Sequence, residues 1–300
     1  MSGATQGGGG RPMSVFARAS EVLVLSLALT LGGGAGAAQT APPARVVSMN
    51  LCTDQLALML AAPGQLVSVS YLAHDGAVAP LRAAARALPA NRGLAEEIYL
   101  LQPDLVLAGR YSTVATVAML ERLGLPVIRF EPENSLDDIE DALTRMGAAL
   151  GREARARALI ADFRADRARL EEHLRQARAE ADGPRAVLYS ARGWTGGSQT
   201  LAGDILRAAG LRNLADELGL AWGGMVALES LLMADPDRLI LGQPGRSPEG
   251  WSEARALLHH PALRHSRAYR AGVATNDRDW VCGTPFVLDA VARLIDETAP

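Results

Sequence analysis

The sequence predicts an α/β protein of two α/β lobes joined by one long rigid helix, with a ligand cleft between the lobes. Two observations predict it. Residues 153–181 contain no Gly and no Pro and are dominated by Ala, Arg, Leu, Glu and Asp. At 1.5 Å per residue they make a helix of roughly 40–45 Å, about the width of a small domain. On both sides of that stretch, short apolar segments alternate with amphipathic ones, the rhythm of a mostly parallel sheet covered by helices. A helix of this composition acts as a strut, not as a flexible linker.

The elements follow in order. Pro42 and Pro43 lead into a short apolar strand over residues 45–48. Residues 53–62 read as a helix stopped by Pro63-Gly64. Residues 66–70 and 104–108 read as strands. Ser112 is the expected cap of a helix ending near Leu123, with Gly124 past its end. Residues 127–130 form a further strand. Ser135-Leu136-Asp137-Asp138 has the capping-box form, with Asp in place of the usual Glu or Gln, and opens a helix to Leu150. Beyond the strut, 186–190 and 238–242 read as strands, and 201–209, 228–234, 251–258 and 285–297 as helices. The expected divisions are a lobe over residues 44–150, a connecting helix over 151–182 and a second lobe over 184–300.

The chain has 300 residues, 49% of them hydrophobic and 21% charged, with a net charge of −3. This is globular composition and gives no sign of nucleic-acid binding. All 30 basic residues are arginine, which excludes a Schiff-base lysine and a P-loop lysine. There is no G-x-S-x-G, no dinucleotide fingerprint, and no H-x-x-x-H or C-x-x-C spacing. No catalytic residue, metal-ligand set or cofactor is assigned. At the N-terminus a basic region ends at Arg18, an apolar run covers residues 22–31, and Ala35-Gly36-Ala37 fits a cleavage site. The expectation is a cleaved signal peptide over residues 1–38, with Met13 as a possible true start. The apolar run is too short to span a bilayer, and no Cys lies near the cleavage site to carry a lipid. The work of the chain is expected outside the cytoplasm.

Open α/β sheets bind ligands at the carboxyl ends of their strands. Here those ends point to residues 50–53, 71–76, 109–112, 190–198 and 276–284. Aromatics are only 4% of the chain, yet Tyr71, Tyr111, Trp194 and Trp280 all fall in these loops. They would hold a large flat ligand, or anchor the loops on the core. Arg110 and Arg192 fall there too, and could grip carboxylates or stand solvated. His74 is the sole histidine in these loops. Cys52 precedes the first helix and Cys282 the last. Three outcomes are open for them: a disulfide tying the lobes together, separate thiols with one touching a bound metal centre, or inert burial.

Three phrases carry a resemblance. Arg45-Val46-Val47-Ser48 precedes a helix-opening loop. Ala95-Glu96-Glu97-Ile98 leads to Gln102-Pro103-Asp104-Leu105-Val106. Leu228-Glu229-Ser230-Leu231-Leu232 leads to Asp235-Pro236-Asp237. In this order around a long central helix, the chain resembles the periplasmic binding proteins of ABC importers for vitamin B12, ferric siderophores and haem, over about residues 44–298. The resemblance implies a monomeric periplasmic receptor, not an enzyme. It would capture a small-molecule metal chelate containing iron or cobalt and deliver it to an ABC permease dimer with a cytoplasmic ATPase. A ferric siderophore or haem is the first expectation and a corrinoid the second. A chelate sensor or a chelatase-like enzyme is the alternative from another class. Glu96 and Glu229 match the family's permease-docking glutamates, although Glu in a first turn is also favourable with the helix dipole. Asp279-Trp280 resembles a ligand-touching loop.

Overall fold

The computed structural model describes residues 41–178, 183–243 and 257–299. The signal peptide and most of the helix expected over 251–258 lie outside the described residues.

The first lobe runs β1 (Val46–Ser48), α1 (Leu51–Leu60), β2 (Leu66–Ser70), a 3₁₀ turn (Tyr71–His74), α2 (Arg82–Ala85), β3 (Ala90–Asn91), α3 (Ala95–Leu100), β4 (Leu105–Gly109), α4 (Val114–Arg122), β5 (Val127–Phe130) and α5 (Leu136–Leu150). Its strands form one parallel sheet in the order β3-β2-β1-β4-β5. Val46, Val47, Val106, Leu107 and Ala108 are wholly buried, as parallel strands covered on both faces must be. The strand order reverses direction between β1 and β4, which makes the crevice at their carboxyl ends the natural ligand position.

The long helix is α6 (Glu153–Ala177), 25 residues and so roughly 37 Å long. It packs along α5 on one side and along the last helix on the other. Ala156 and Phe163 are its buried residues. Leu159, Ile160, Leu170 and Leu174 pack half-buried against the same core, while Arg164 pairs with Glu140 and Arg167 with Asp137 of α5.

The second lobe runs β6 (Arg185–Leu188), β7 (Trp194–Thr195), α7 (Leu201–Ala208), β8 (Arg212–Asn213), α8 (Leu214–Glu217), β9 (Gly224–Met225), α9 (Leu228–Ala234), β10 (Arg238–Gln243), α10 (Pro261–His265), α11 (Arg267–Arg270), β11 (Val273–Asn276) and α12 (Val287–Thr298). A parallel sheet in the order β11-β10-β6-β8 is joined by a two-stranded antiparallel ribbon, β7-β9. The fold class is the one expected.

The two lobes share a core. Ile139, Leu143 and Met146 of α5, Phe163 of α6, Ile205 of α7 and Leu294 of α12 belong to one apolar cluster. At its edge the backbone N–H of Leu136, in the first turn of α5, donates to the Asp204 carboxylate of α7 at 2.8 Å. Two expected helix starts move. Asn50 caps α1, its side chain accepting from the N–H groups of Cys52 and Thr53, so the helix begins before Thr53. Thr113, not Ser112, is the N-cap position of α4; the Ser112 hydroxyl instead accepts from the N–H of Gly109. The Ser135–Asp138 capping box forms as read.

Candidate ligand cleft

The first hollow opens at the β1/β4 crevice and has a volume of about 180 Å³. Asn50 follows β1 and Gly109 ends β4. The two approach closely: a Cβ on Gly109 would lie 2.8 Å from Asn50 Cγ. Thr53 backs them, its hydroxyl donating to the carbonyl of Asn50 at 2.9 Å and lying 2.8 Å from the hydroxyl of Ser48. Arg110 and Tyr111 continue from β4, and Glu131 and Glu133 from β5, into the same wall. Arg110 Nη1 meets Glu131 Oε2 at 2.8 Å. The pair is solvated, so it contributes little to stability, yet it occupies the guanidinium.

Glu133 stands where the lobes touch. Burial pushes its carboxyl up to about 7, against the pull of its own backbone N–H and that of Gly283; the Asp138 charge adds to the rise and Arg145 offsets it. Beneath the hollow, Asp54 of α1 is also pushed to about 7, chiefly by burial. Its carboxyl accepts from the N–H and hydroxyl of Ser70 at the end of β2. Asp54 is therefore a brace between helix and sheet.

Cys52 and Cys282 form a disulfide, with Cα atoms 5.1 Å apart and a separation of 230 positions in sequence. It joins the first turn of α1 to the loop before α12, across the lobes. Of the three outcomes left open by sequence, the cross-link is the one observed. No thiol is left at this position for a metal centre, because both sulfurs are spent on each other.

A second hollow of about 360 Å³ lies on the other side of that loop, lined by Ser190, Ala191, Trp194, Thr275, Asp277 and Trp280, among others; Val281 lines both hollows. Trp194 is 47% exposed and sits on the β7-β9 ribbon opposite Met225. Trp280 packs its ring against the shared core, while its indole N–H is buried without a hydrogen-bond partner. Its neighbour Asp279 is buried, 3.5 Å from the Arg293 guanidinium of α12, and so anchors the loop.

The structure thus brings Cys52, Arg110, Tyr111, Trp194 and Trp280 to the two hollows. Tyr71 and Arg192 are exposed but outside both linings, and His74 is turned to the Ala85 carbonyl at 3.0 Å. The loop after β5, with Glu131 and Glu133, was not among the expected cleft loops. The carboxyl-end rule that located the others applies to it equally. Among the described residues no group of three His, Cys, Asp or Glu side chains is placed to hold a metal ion.

Residues 46–274 match the family described as "Periplasmic binding protein". The chain belongs to this family. A "Cobalamin-binding protein" of Halobacterium salinarum is 25% identical over 255 residues, covering 84% of this chain and 68% of that protein. A "Periplasmic Heme Binding Protein" from Pseudomonas aeruginosa superposes with a TM-score of 0.71 at 24% identity, over 86% of this chain and 93% of that one. The "periplasmic Vitamin B12 binding protein" of Vibrio cholerae gives 0.62 at 20% identity, over 86% and 97%. At these identities the structures speak for the fold. An "Uncharacterized ABC transporter substrate-binding lipoprotein" of Bacillus subtilis is 26% identical over 178 residues, 55% of this chain and 55% of that protein. As a periplasmic binding protein, the chain is a solute receptor that works outside the cytoplasm and serves an importer.

Proposed function

We propose that this periplasmic binding protein captures a metal-bearing macrocycle, a corrinoid, across its two adjoining hollows and delivers it to an ABC permease dimer driven by a cytoplasmic ATPase. The observation that carries the ligand class is the charge of the lining. Among the described residues around the hollows Arg110 is the lone cation, and Glu131 already engages it. Glu133 and Asp277 add acid. Haem propionates or an anionic ferric siderophore would meet no spare cation among the described lining residues, whereas the carboxamides of a corrinoid find donors and acceptors at no charge penalty. The order of ligands expected from sequence is thereby reversed. Tyr111 and Trp194 offer flat apolar faces to such a ring. The cobalamin-binding relative supports the same reading. The chain acts as a monomer in the periplasm after removal of its leader, and it catalyses no reaction.

Docking falls to Glu96 on α3 and Glu229 on α9, both exposed. Two separated carboxylates orient a partner by charge-assisted hydrogen bonds. Glu96→Arg with Glu229→Arg is expected to abolish uptake while ligand affinity stays.

The ligand reading is tested by titrating tryptophan fluorescence with cyanocobalamin, haemin and a panel of ferric siderophores, corrected for absorption. Saturable one-to-one quenching by cyanocobalamin is expected. Saturation by haemin or a siderophore, with no response to cyanocobalamin, overturns the corrinoid assignment.

A further inference from the structure

The two lobes carry the same small construction twice. In each, a short helix leads through a residue with positive φ, then Pro and Asp, into a sheet strand. Glu96, Leu100, Gln102, Pro103 and Asp104 in the first lobe correspond to Glu229, Met233, Asp235, Pro236 and Asp237 in the second, at identical spacing. Gln102 has φ 49° and Asp235 φ 39°.

An arginine at the start of the central strand clamps each copy. Arg45 donates to the carbonyls of Leu101 and Gln102 at 2.7 and 3.1 Å. Arg185 donates to those of Ala234 and Asp235 at 3.0 and 3.5 Å. The same arginine's backbone N–H donates to the aspartate: Arg45 to Asp104 at 2.9 Å, Arg185 to Asp237 at 3.0 Å. The aspartate's N–H returns the bond to the arginine carbonyl at 2.9 Å in both lobes. Each clamp fills the open carbonyls at a helix C-terminus and fixes the helix against its sheet. A helix leading directly into a strand runs back against it, so both helix N-termini lie toward the carboxyl ends of the sheets, where the ligand loops are.

Each helix presents its second-position glutamate and, four residues on, a bare apolar side chain. Leu100 is 80% exposed and Met233 is 87% exposed. Residues four apart share one helix face. Neither glutamate has a hydrogen bond or ion pair among the described residues.

We propose that these are two copies of one docking element, in which Leu100 and Met233 are contact residues beside the glutamates, and that the partner is a two-fold symmetric permease offering on each subunit a cation next to an apolar socket. The proposal rests on the docking reading above. An identical acid-plus-apolar face on each lobe, held by the same clamp, fits a partner that repeats its own surface. An exposed apolar side chain beside each charged contact gains by leaving water when a partner's socket covers it.

The test uses the full chain and its cognate permease–ATPase complex in proteoliposomes, and reads the concentration of binding protein that half-maximally stimulates ATP hydrolysis. Folding is followed by thermal melting, which needs no ligand. Leu100→Ser with Met233→Ser is expected to raise that concentration at least tenfold at unchanged Tm. Each single variant should contribute a comparable share, because separate sites act independently. Leu100→Gln with Met233→Gln serves as the second pair. Unchanged half-saturation in both pairs, or an effect confined to one lobe, overturns the proposal. The Glu96→Arg, Glu229→Arg variant separates the two levels: if it fails to dock while the apolar pairs dock normally, only this inference falls, and if it docks normally too, the docking reading falls with it.

Discussion

Gly283 lies so close to Glu133 that a Cβ on the glycine would sit 2.3 Å from the Cβ of the glutamate. The contact joins the loop after the disulfide, in the second lobe, to the loop after β5 in the first. It sets how near the two walls of the cleft approach.

Gly283→Ala tests this spacing. The added methyl has no room, so either Glu133 leaves or the lobes part. Overpacking of this kind costs about 1–3 kcal/mol. The expected outcome is a lower midpoint in a urea unfolding curve together with weaker ligand binding. A variant that matches the parent in both would show that the contact is yielding.

Glu133 also gives stability a pH dependence. Its value is raised from 4.5 to about 7 on folding, mainly by burial, and that of Asp54 from 3.8 to about 7. At pH below their ordinary values both states of the chain hold these protons. As pH rises toward 7 the unfolded chain releases them while the folded chain keeps them, so stability falls across this window and levels off above it. For Glu133 alone the loss is on the order of 2–3 kcal/mol. Melting temperature should decline from pH 5 to pH 8, and Glu133→Gln should flatten the decline without removing the share due to Asp54. Equal slopes in the two proteins would contradict the assignment.

The cross-link between Cys52 and Cys282 closes a very long loop. Its removal by Cys52→Ser with Cys282→Ser is expected to cost about 2–5 kcal/mol. A thiol titration of the unfolded parent should find no free thiol before reduction and two after. Small-angle scattering should show little change in radius of gyration when ligand is added to the oxidised protein and a larger one in the double serine variant. The same small change in both would assign the restraint to α6 and the shared core alone.

Much of the fold was legible because it rests on local chemistry. The capping box at Ser135, the Gly-Pro stops and the unbroken run that becomes α6 are written in adjacent residues. The first cap was missed at Asn50, since its acceptor geometry depends on how β1 delivers the chain into α1. Ser112 was misread for a related reason: its hydroxyl found a closer donor at Gly109. In the cleft, Arg110, Tyr111, Trp194 and Trp280 followed from the carboxyl-end rule. What lay beyond sequence were pairings between distant segments. Glu131 meets Arg110 only because β4 and β5 pair side by side in the first lobe, and Glu133 against Gly283 and the sulfur bond join residues that only the packing of two lobes brings together. The duplicated clamp is a middle case: the Pro-Asp phrases look alike in sequence, but the reach of Arg45 and Arg185 to the helix ends is a three-dimensional fact.

The disulfide also sets an order of events. A chain that emerges N-terminus first displays Cys52 long before Cys282, which follows 230 positions later. The first lobe can complete its sheet with that sulfur still reduced. The bond can form only after the second lobe has arrived and packed its last loop over α1. Any earlier oxidation must join Cys52 to another molecule and be exchanged away. The finished cross-link is thus a covalent record that both halves have folded and met.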